Sequence, residues 1–241
     1  MSAEPIGESW GPAGRIVLVT GAGEGLGKEV ALGLAAAGAT VIASSRRRRK
    51  LEALDDAIKA TGKSVTLLPL DLAEPEKLMP IGPSIYERFG RLDAVVHCAA
   101  VLGTFMPTAQ LDPAMLRATI TVNALATQAL IATLDPLLQA APDARALFLT
   151  DRLAQRGKPF VAAYTASKQA MEAIVLAYAA ETQNSRLAVR LLSPPPMATV
   201  LRKTAYPGEP EARQLPPEQA AARLLSRLAA PELPLAEIIE L

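Results

Sequence analysis

Arg15-Ile16-Val17-Leu18-Val19 is an apolar run too short for a helix, and it leads directly into Thr20-Gly21-Ala22-Gly23-Glu24-Gly25-Leu26-Gly27. A short strand that enters a run of glycines and then a helix leaves few architectures open. Glycines let the main chain turn sharply and approach a diphosphate. The N-terminus of the following helix offers free N–H groups and partial positive charge. A plain strand–helix turn can also be glycine-rich, so the residues downstream must decide what the turn is for.

The rest of the chain repeats the same unit. A helix over Glu24–Ala37 stops at Gly38, and Thr40–Ser44 is a second strand. A helix over Arg47–Thr61 ends at Gly62, and the strand Val65–Leu70 delivers Asp71. Pro80, Gly82 and Pro83 interrupt the next helical stretch. Then come the strand Leu92–His97, a long helix Pro113–Gln139, the strand Ala146–Thr150, a helix Val161–Gln183 and the strand Leu187–Leu192. A helix over Pro216–Ala229 and a strand over Leu235–Leu241 complete the series. Strands alternating with helices imply parallel neighbours joined by right-handed crossovers. The expected fold is α/β: one doubly wound parallel sheet of about seven strands with helices on both faces, a Rossmann fold over residues 14–241. Ligands of such sheets bind beyond the carboxyl ends of the strands, where Gly21, Ser45, Asp71, Cys98, Asp151 and Pro194 fall.

Composition removes several function classes. A net charge of +1 argues against nucleic acid or an acidic membrane held by bulk electrostatics. Cys98 and His97 are the sole cysteine and histidine, so neither an intrachain disulfide nor a zinc cluster is expected, and no metal site is assigned. Cys98 reads as a small buried hydrophobe and His97 as structural. Met1–Pro12 lacks a basic start and an apolar core, so residues 1–13 read as a loose tail rather than a signal peptide. No apolar run approaches the roughly 18 residues of a membrane span. A cytoplasmic protein without a membrane partner is the expectation.

Two features downstream carry chemistry. Pro194-Pro195-Pro196, Pro207, Pro210, Pro216 and Pro217 forbid a continuous helix over 194–216, which reads as a loop with short ordered pieces over a substrate site. Tyr164-Thr165-Ala166-Ser167-Lys168 opens a helix and puts a phenol and an ammonium at i and i+4 on one face. A phenol with an ordinary pKa of about 10 exchanges protons poorly near neutrality, and an adjacent ammonium favours its phenolate.

Thr20–Gly27 (Thr-Gly-x-x-x-Gly-x-Gly), Asp71-Leu72, Asn123 in the long helix, and Tyr164 with Lys168 stand in the order found in the short-chain dehydrogenase/reductase family, which the chain resembles over about residues 14–200. The resemblance implies an oxidoreductase that moves hydride between nicotinamide and a small carbonyl or alcohol. It gives Tyr164 the proton exchange with substrate oxygen. Lys168 would lower the tyrosine pKa and bind the ribose hydroxyls, and Asn123 would hold a water in a proton relay. Gly21, Gly23, Glu24, Gly25, Leu26 and Gly27 would line the diphosphate, and Asp71 and Leu72 the adenine. Cys98, Ala99, Ala100, Pro194, Met197 and Thr199 would line the rest of the cofactor, with Thr199 at the carboxamide. A homodimer or homotetramer built on the long helices is also implied.

The chain departs from the family at three places. Cys98-Ala99-Ala100 stands for Asn-Ala-Gly, and Pro194-Pro195 for Pro-Gly. Asp151 holds the catalytic serine's position, thirteen residues before Tyr164. A serine hydroxyl can donate to a carbonyl oxygen, whereas an ionised carboxylate only accepts. Three explanations stand open. Asp151 is protonated by burial and donates, or the site has decayed to cofactor binding, or the substrate carries a protonatable nitrogen. Pteridine reductases, which reduce ring C=N bonds, look similar at the Asp-Tyr-Lys spacing. Gly25, however, stands where they carry arginine, and Leu102 about where the trypanosomatid enzymes carry a stacking phenylalanine.

At the end of the second strand, Ser44-Ser45 precedes Arg46-Arg47-Arg48-Arg49-Lys50. An aspartate there would select NAD(H) by binding the ribose hydroxyls. Ser45 leaves room for a 2′-phosphate that Arg46 and Arg47 can grip. Glu24 opposes this, because NADP-preferring members often carry a basic residue at its position. NADP(H) is the expected cofactor, with NAD(H) as the alternative.

Overall fold

A computed structural model describes residues 10–151, 158–230 and 238–241. Seven parallel strands form one sheet in the order β3-β2-β1-β4-β5-β6-β7. They are β1 Ile16–Thr20, β2 Thr40–Ser45, β3 Val65–Pro69, β4 Ala94–His97, β5 Ala144–Leu149, β6 Leu187–Ser193 and β7 Ile238–Glu240. The expected start of the last strand at Leu235 lies outside the described residues. Strand order reverses between β1 and β4, so their carboxyl ends diverge and open a crevice there.

Alternation along each strand builds two cores. Val17 and Val19 face one side with Val41, Ala43, Leu147 and Leu192, against Val30 and Leu34 of α1 (Gly25–Ala36), Leu51 and Leu54 of α2 (Arg48–Lys59), and Leu224 of the last helix. Leu18, Ile42, Val95 and Phe148 face the other side, against Leu130 and Leu134 of α5 (Ala126–Ala140) and Met171 and Val175 of α6 (Ala162–Glu181). The strands are apolar on both faces because both faces are covered, as expected of a parallel sheet.

Pro80, Gly82 and Pro83 start a helix rather than only interrupting one. A 3₁₀ turn over Pro75–Leu78 ends before α3 (Ile81–Phe89), in whose first turn Pro83 lies. A proline costs little there, because first-turn N–H groups have no helical acceptor. The expected helix Pro113–Gln139 is α4 (Pro113–Ile120), a π-helical turn at Thr121–Leu125, and α5 (Ala126–Ala140). That continuous 28-residue rod is long and apolar enough to pass for a membrane span by composition, contrary to the sequence expectation. Its inner face packs on the sheet through Leu130, Leu134 and Leu138. α6 (Ala162–Glu181), α7 (Val200–Ala205) and α8 (Pro217–Ala229) complete the set among the described residues.

The expected loose tail ends earlier than Ala13. Residues 1–9 lie outside the described residues, but Trp10 is 1% exposed. Its Nε1–H donates to the Asp143 carbonyl at 3.0 Å, and the Arg15 guanidinium lies 5.5 Å from its ring centroid. A buried indole with a bonded N–H outweighs the low sequence complexity around it. Trp10→Ala should therefore destabilise the fold by about 3 kcal/mol or more. Trp10→Phe should cost roughly 1–2 kcal/mol, for the lost bond and part of the packing. Urea denaturation of both variants checks this order.

Candidate active site

The site is a cavity of about 400 Å³ at the carboxyl ends of β1, β2, β4 and β5. Its floor is the turn from β1 into α1. Gly21 has φ +68°, and a Cβ added there would stand 2.8 Å from the Ala99 backbone nitrogen. A Cβ on Gly27 would stand 2.4 Å from the Gly21 carbonyl oxygen. Glu24, the N-cap residue of α1, makes no side-chain cap, so the first N–H groups of the helix remain available to a ligand. These two facts fit a diphosphate.

Gly21, Gly23, Glu24, Gly25, Leu26 and Gly27 line this end of the cavity. Ser45, Arg46 and Arg47 line it after β2, and Asp71 and Leu72 after β3. Cys98, Ala99 and Ala100 follow β4, and Pro194, Met197 and Thr199 follow β6. Asp151, Tyr164 and Lys168 close the opposite end.

Asn123 is the exception, lying behind the wall rather than in it. Its Oδ1 accepts the Val101 N–H at 2.8 Å, and its Nδ2 donates to the Val101 carbonyl at 2.8 Å and to Ser167 Oγ at 2.9 Å. Its carbonyl accepts the Thr127 hydroxyl at 2.9 Å. The π-helical turn carries this side chain across to the loop after β4, so it fastens that loop to α6. With these bonds made, the amide side chain braces the loop after β4.

The electrostatics also differ from expectation. Tyr164 Oη donates to Asp151 Oδ2 at 3.1 Å. Its pKa is held well above the phenolic range. Burial is the first cause, followed by the charge of Asp151 and the hydrogen bond to it; Arg202 opposes them. Lys168 Nζ is turned to the Leu149 carbonyl at 2.8 Å. Burial pulls its pKa down to about 8, against Asp151 and Glu172, which raise it. Cys98 is pushed up to about 12 by burial, so it is no thiolate, as its sequence context suggested.

His97 is likewise structural, its pKa lowered to about 3 by burial. Its Nδ1 lies 2.8 Å from Thr20 Oγ1 and its Nε2 lies 3.2 Å from Thr127 Oγ1. Since Thr127 gives its proton to Asn123, Nε2 carries the imidazole hydrogen and Nδ1 accepts from Thr20.

Several lining residues carried no sequence motif. Val101, Leu102, Val122, Val200, Leu201 and Thr204 make the far end largely apolar. Phe105 and Tyr206 pack behind it with Ala205 against Tyr164. Arg202 is held by two bonds to Glu209, at 2.6 and 2.7 Å, and stacks 4.2 Å from the Tyr206 ring centroid. The prolines foretold this short helical piece, but not which side chain it would present.

The short chain dehydrogenase family model matches residues 15–210. This chain belongs to that family of oxidoreductases. It is 34% identical over 198 residues to the uncharacterised oxidoreductase YciK of Escherichia coli K12, covering 81% of this chain and 78% of that one. It is 30% identical over 229 residues to the glycine betaine reductase ATRR of Emericella nidulans, covering 91% of this chain but 18% of that protein. Among solved structures, a Shigella flexneri short-chain dehydrogenase complexed with NADP superimposes with a TM-score of 0.89 at 30% identity, covering 95% of this chain and 97% of that one. An Escherichia coli CFT073 relative complexed with NADPH gives 0.89 at 31% identity, covering 95% and 96%.

The Asp151–Tyr164 contact has a direct spectroscopic consequence. Asp151→Asn removes a negative charge that disfavours the phenolate, so the Tyr164 pKa should fall. Ultraviolet titration of tyrosinate, with Tyr164→Phe identifying the signal, should show one tyrosine ionising at lower pH in the asparagine variant than in wild type.

Proposed function

We propose that this protein is an NADP(H)-preferring reductase acting on a small carbonyl substrate. The observation that carries the reading is one continuous cavity with Ser45, Arg46 and Arg47 at one end and Tyr164, Lys168 and Asp151 at the other. Relatives solved with NADP or NADPH support the cofactor. A cofactor held by its diphosphate at the glycine turn would supply hydride at the Tyr164 end of the cavity. Gly21 to Gly27 and the first N–H groups of α1 bind the diphosphate, while Asp71 and Leu72 face the adenine. Ser45 leaves room for the 2′-phosphate, and Arg46 and Arg47 hold it. NAD(H) binds more weakly, without that group.

Tyr164 is the proton donor. Asp151 and burial keep its hydroxyl protonated, which suits the reductive direction: the proton leaves Oη for the substrate oxygen as hydride arrives at carbon. Lys168, one turn along α6 from Tyr164, would turn its ammonium to the charge left on the phenol. Val200, Leu201 and Leu102 exclude water from the reacting end. Asn123 positions the loop after β4. The same geometry favours a second reading, reduction of a pterin-like or other C=N bond. A carboxylate that accepts the tyrosine hydroxyl can also accept from a substrate N–H, whereas it would repel a forming alkoxide.

Two measurements test these readings. Fluorescence titration should show NADPH binding more tightly than NADH, and Arg46→Ala should weaken NADPH about ten- to a hundredfold, the scale of a charge-assisted contact. Unchanged affinity would remove Arg46 from the site. Asp151→Ser should preserve or raise ketone turnover, because it restores a neutral donor. It should sharply lower turnover of an imine or pterin. Loss of every activity with NADPH binding intact in wild type would instead mark a cofactor-binding homologue.

The proposal extends to a cytoplasmic homodimer or homotetramer, to which Leu125, 50% exposed on the long rod, would offer apolar surface.

A further inference from the structure

Tyr164, Lys168 and Glu172 stand at i, i+4 and i+8 of α6, one above another along the same side. Each binds a different residue at or just after the end of β5. Tyr164 Oη donates to Asp151 Oδ2 at 3.1 Å, and Lys168 Nζ donates to the Leu149 carbonyl at 2.8 Å. The hydroxyl of Thr150, between them, donates to Glu172 Oε1. Thr150 is 4% exposed, and its N–H is engaged by the Leu192 carbonyl at 2.8 Å. Leu149, Thr150 and Asp151 are thus fixed by successive turns of one helix. These residues line the cavity together with Tyr164 and Lys168, whereas Glu172 stands outside it.

We infer that Glu172 is a positioning residue for the proposed reduction: through Thr150 it sets where Asp151 stands, and its carboxylate is a counter-charge for Lys168 placed outside the cavity. Lys168 is faced by Asp151 after β5, by Tyr164 and Glu172 on its own helix, and by His97 and Cys98 at the end of β4. Burial pulls its pKa down to about 8, so the ammonium is only just kept at neutral pH. Asp151, Glu172 and Cys98 oppose burial, in that order. Burial pushes Cys98 up to about 12 and His97 down to about 3, so both are neutral, and the two carboxylates keep the ammonium charged. Asp151 touches the phenol, so its charge also repels the phenolate left when the proton goes to substrate. Glu172 lies about two helical turns from Tyr164 and is the weakest of the influences on it. It supports the cation without crowding the reacting oxygen.

This rests on the reductase reading, and the experiment separates the two. NMR titration of the lysine Cε resonances, with Lys168→Met identifying the signal, reads the ammonium without turnover. The pH dependence of kcat/KM for a ketone at saturating NADPH reads it in the reaction. Glu172→Gln keeps an oxygen that can accept from Thr150 and removes the charge. Both the Lys168 titration and the alkaline limb of the profile should move about one pH unit lower. Thr150→Val removes the bond and leaves the charge. It should lower kcat about tenfold through misplacement of Asp151, with the Lys168 titration unmoved. Glu172→Asp, which retains the charge, should bring the Lys168 titration back towards wild type. If Lys168 moves in Glu172→Gln but wild type reduces no ketone, the counter-charge stands and the reductase reading falls. If the Lys168 titration stays where it was, Glu172 is only a prop of β5 and the inference is wrong, whether or not a ketone is reduced. Should Glu172→Gln lose its thermal transition, Glu172→Ser, smaller and equally uncharged, is titrated in its place, and the same result decides.

Discussion

Everything at this site depends on how closely the backbone of the first turn packs on itself. α1 can start directly under β1 because Gly27 leaves its Cβ position empty against the Gly21 carbonyl, and Gly21 leaves its own empty against the strand β4 exit. Add a methyl at either and the helix must move outward, taking its N-terminal N–H groups with it. Val30 and Leu34 would move as well, and these seal one face of the sheet. The cradle for an anion and the packing of a core layer are thus one constraint. Steric room provides it, and no side-chain hydrogen bond caps the helix start.

At the other end of the cavity the deciding quantity is charge. Tyr164 is buried, and both burial and Asp151 disfavour its ionised form. Lys168 and Arg202 are the cations closest to this problem, but each is already engaged. Lys168 bonds a main-chain carbonyl, and Arg202 is clasped by Glu209. The phenol therefore keeps its proton, in contrast to a site whose serine leaves the lysine to set the phenol's ionisation. The carboxylate of Asp151 thus holds the tyrosine proton in place rather than drawing it off.

The sequence made the fold legible because its signals were local. Glycines at Gly38 and Gly62 end helices, and short continuous apolar runs mark strands buried on both sides. The cavity's lining was legible for the same reason, since residues at strand ends need only the topology to be brought together. The misses have physical causes too. Trp10 is separated from Asp143 by most of the domain, and no local pattern announces a contact of that range. The bonds of Asn123 to Val101 and Ser167 were not legible either, because the π-helical turn that directs its side chain leaves no mark in hydrophobic spacing. Leu201 and Thr204 sit on a helix of six residues between prolines, where the sequence tells only that a long helix cannot form.

The same reasoning explains why position 151 alone cannot settle the substrate. A carboxylate is repulsive to an alkoxide only if nothing nearby carries the compensating charge, and here Arg202 lies within electrostatic reach of both Asp151 and Tyr164. Arg202 is fixed by Glu209 and Tyr206 on α7 and the loop after it, so its compensation depends on where that segment sits. The charge at this end of the cavity is therefore a joint property of Asp151, after β5, and of Arg202, on a short helix whose presence, but not whose side-chain placement, the prolines indicated.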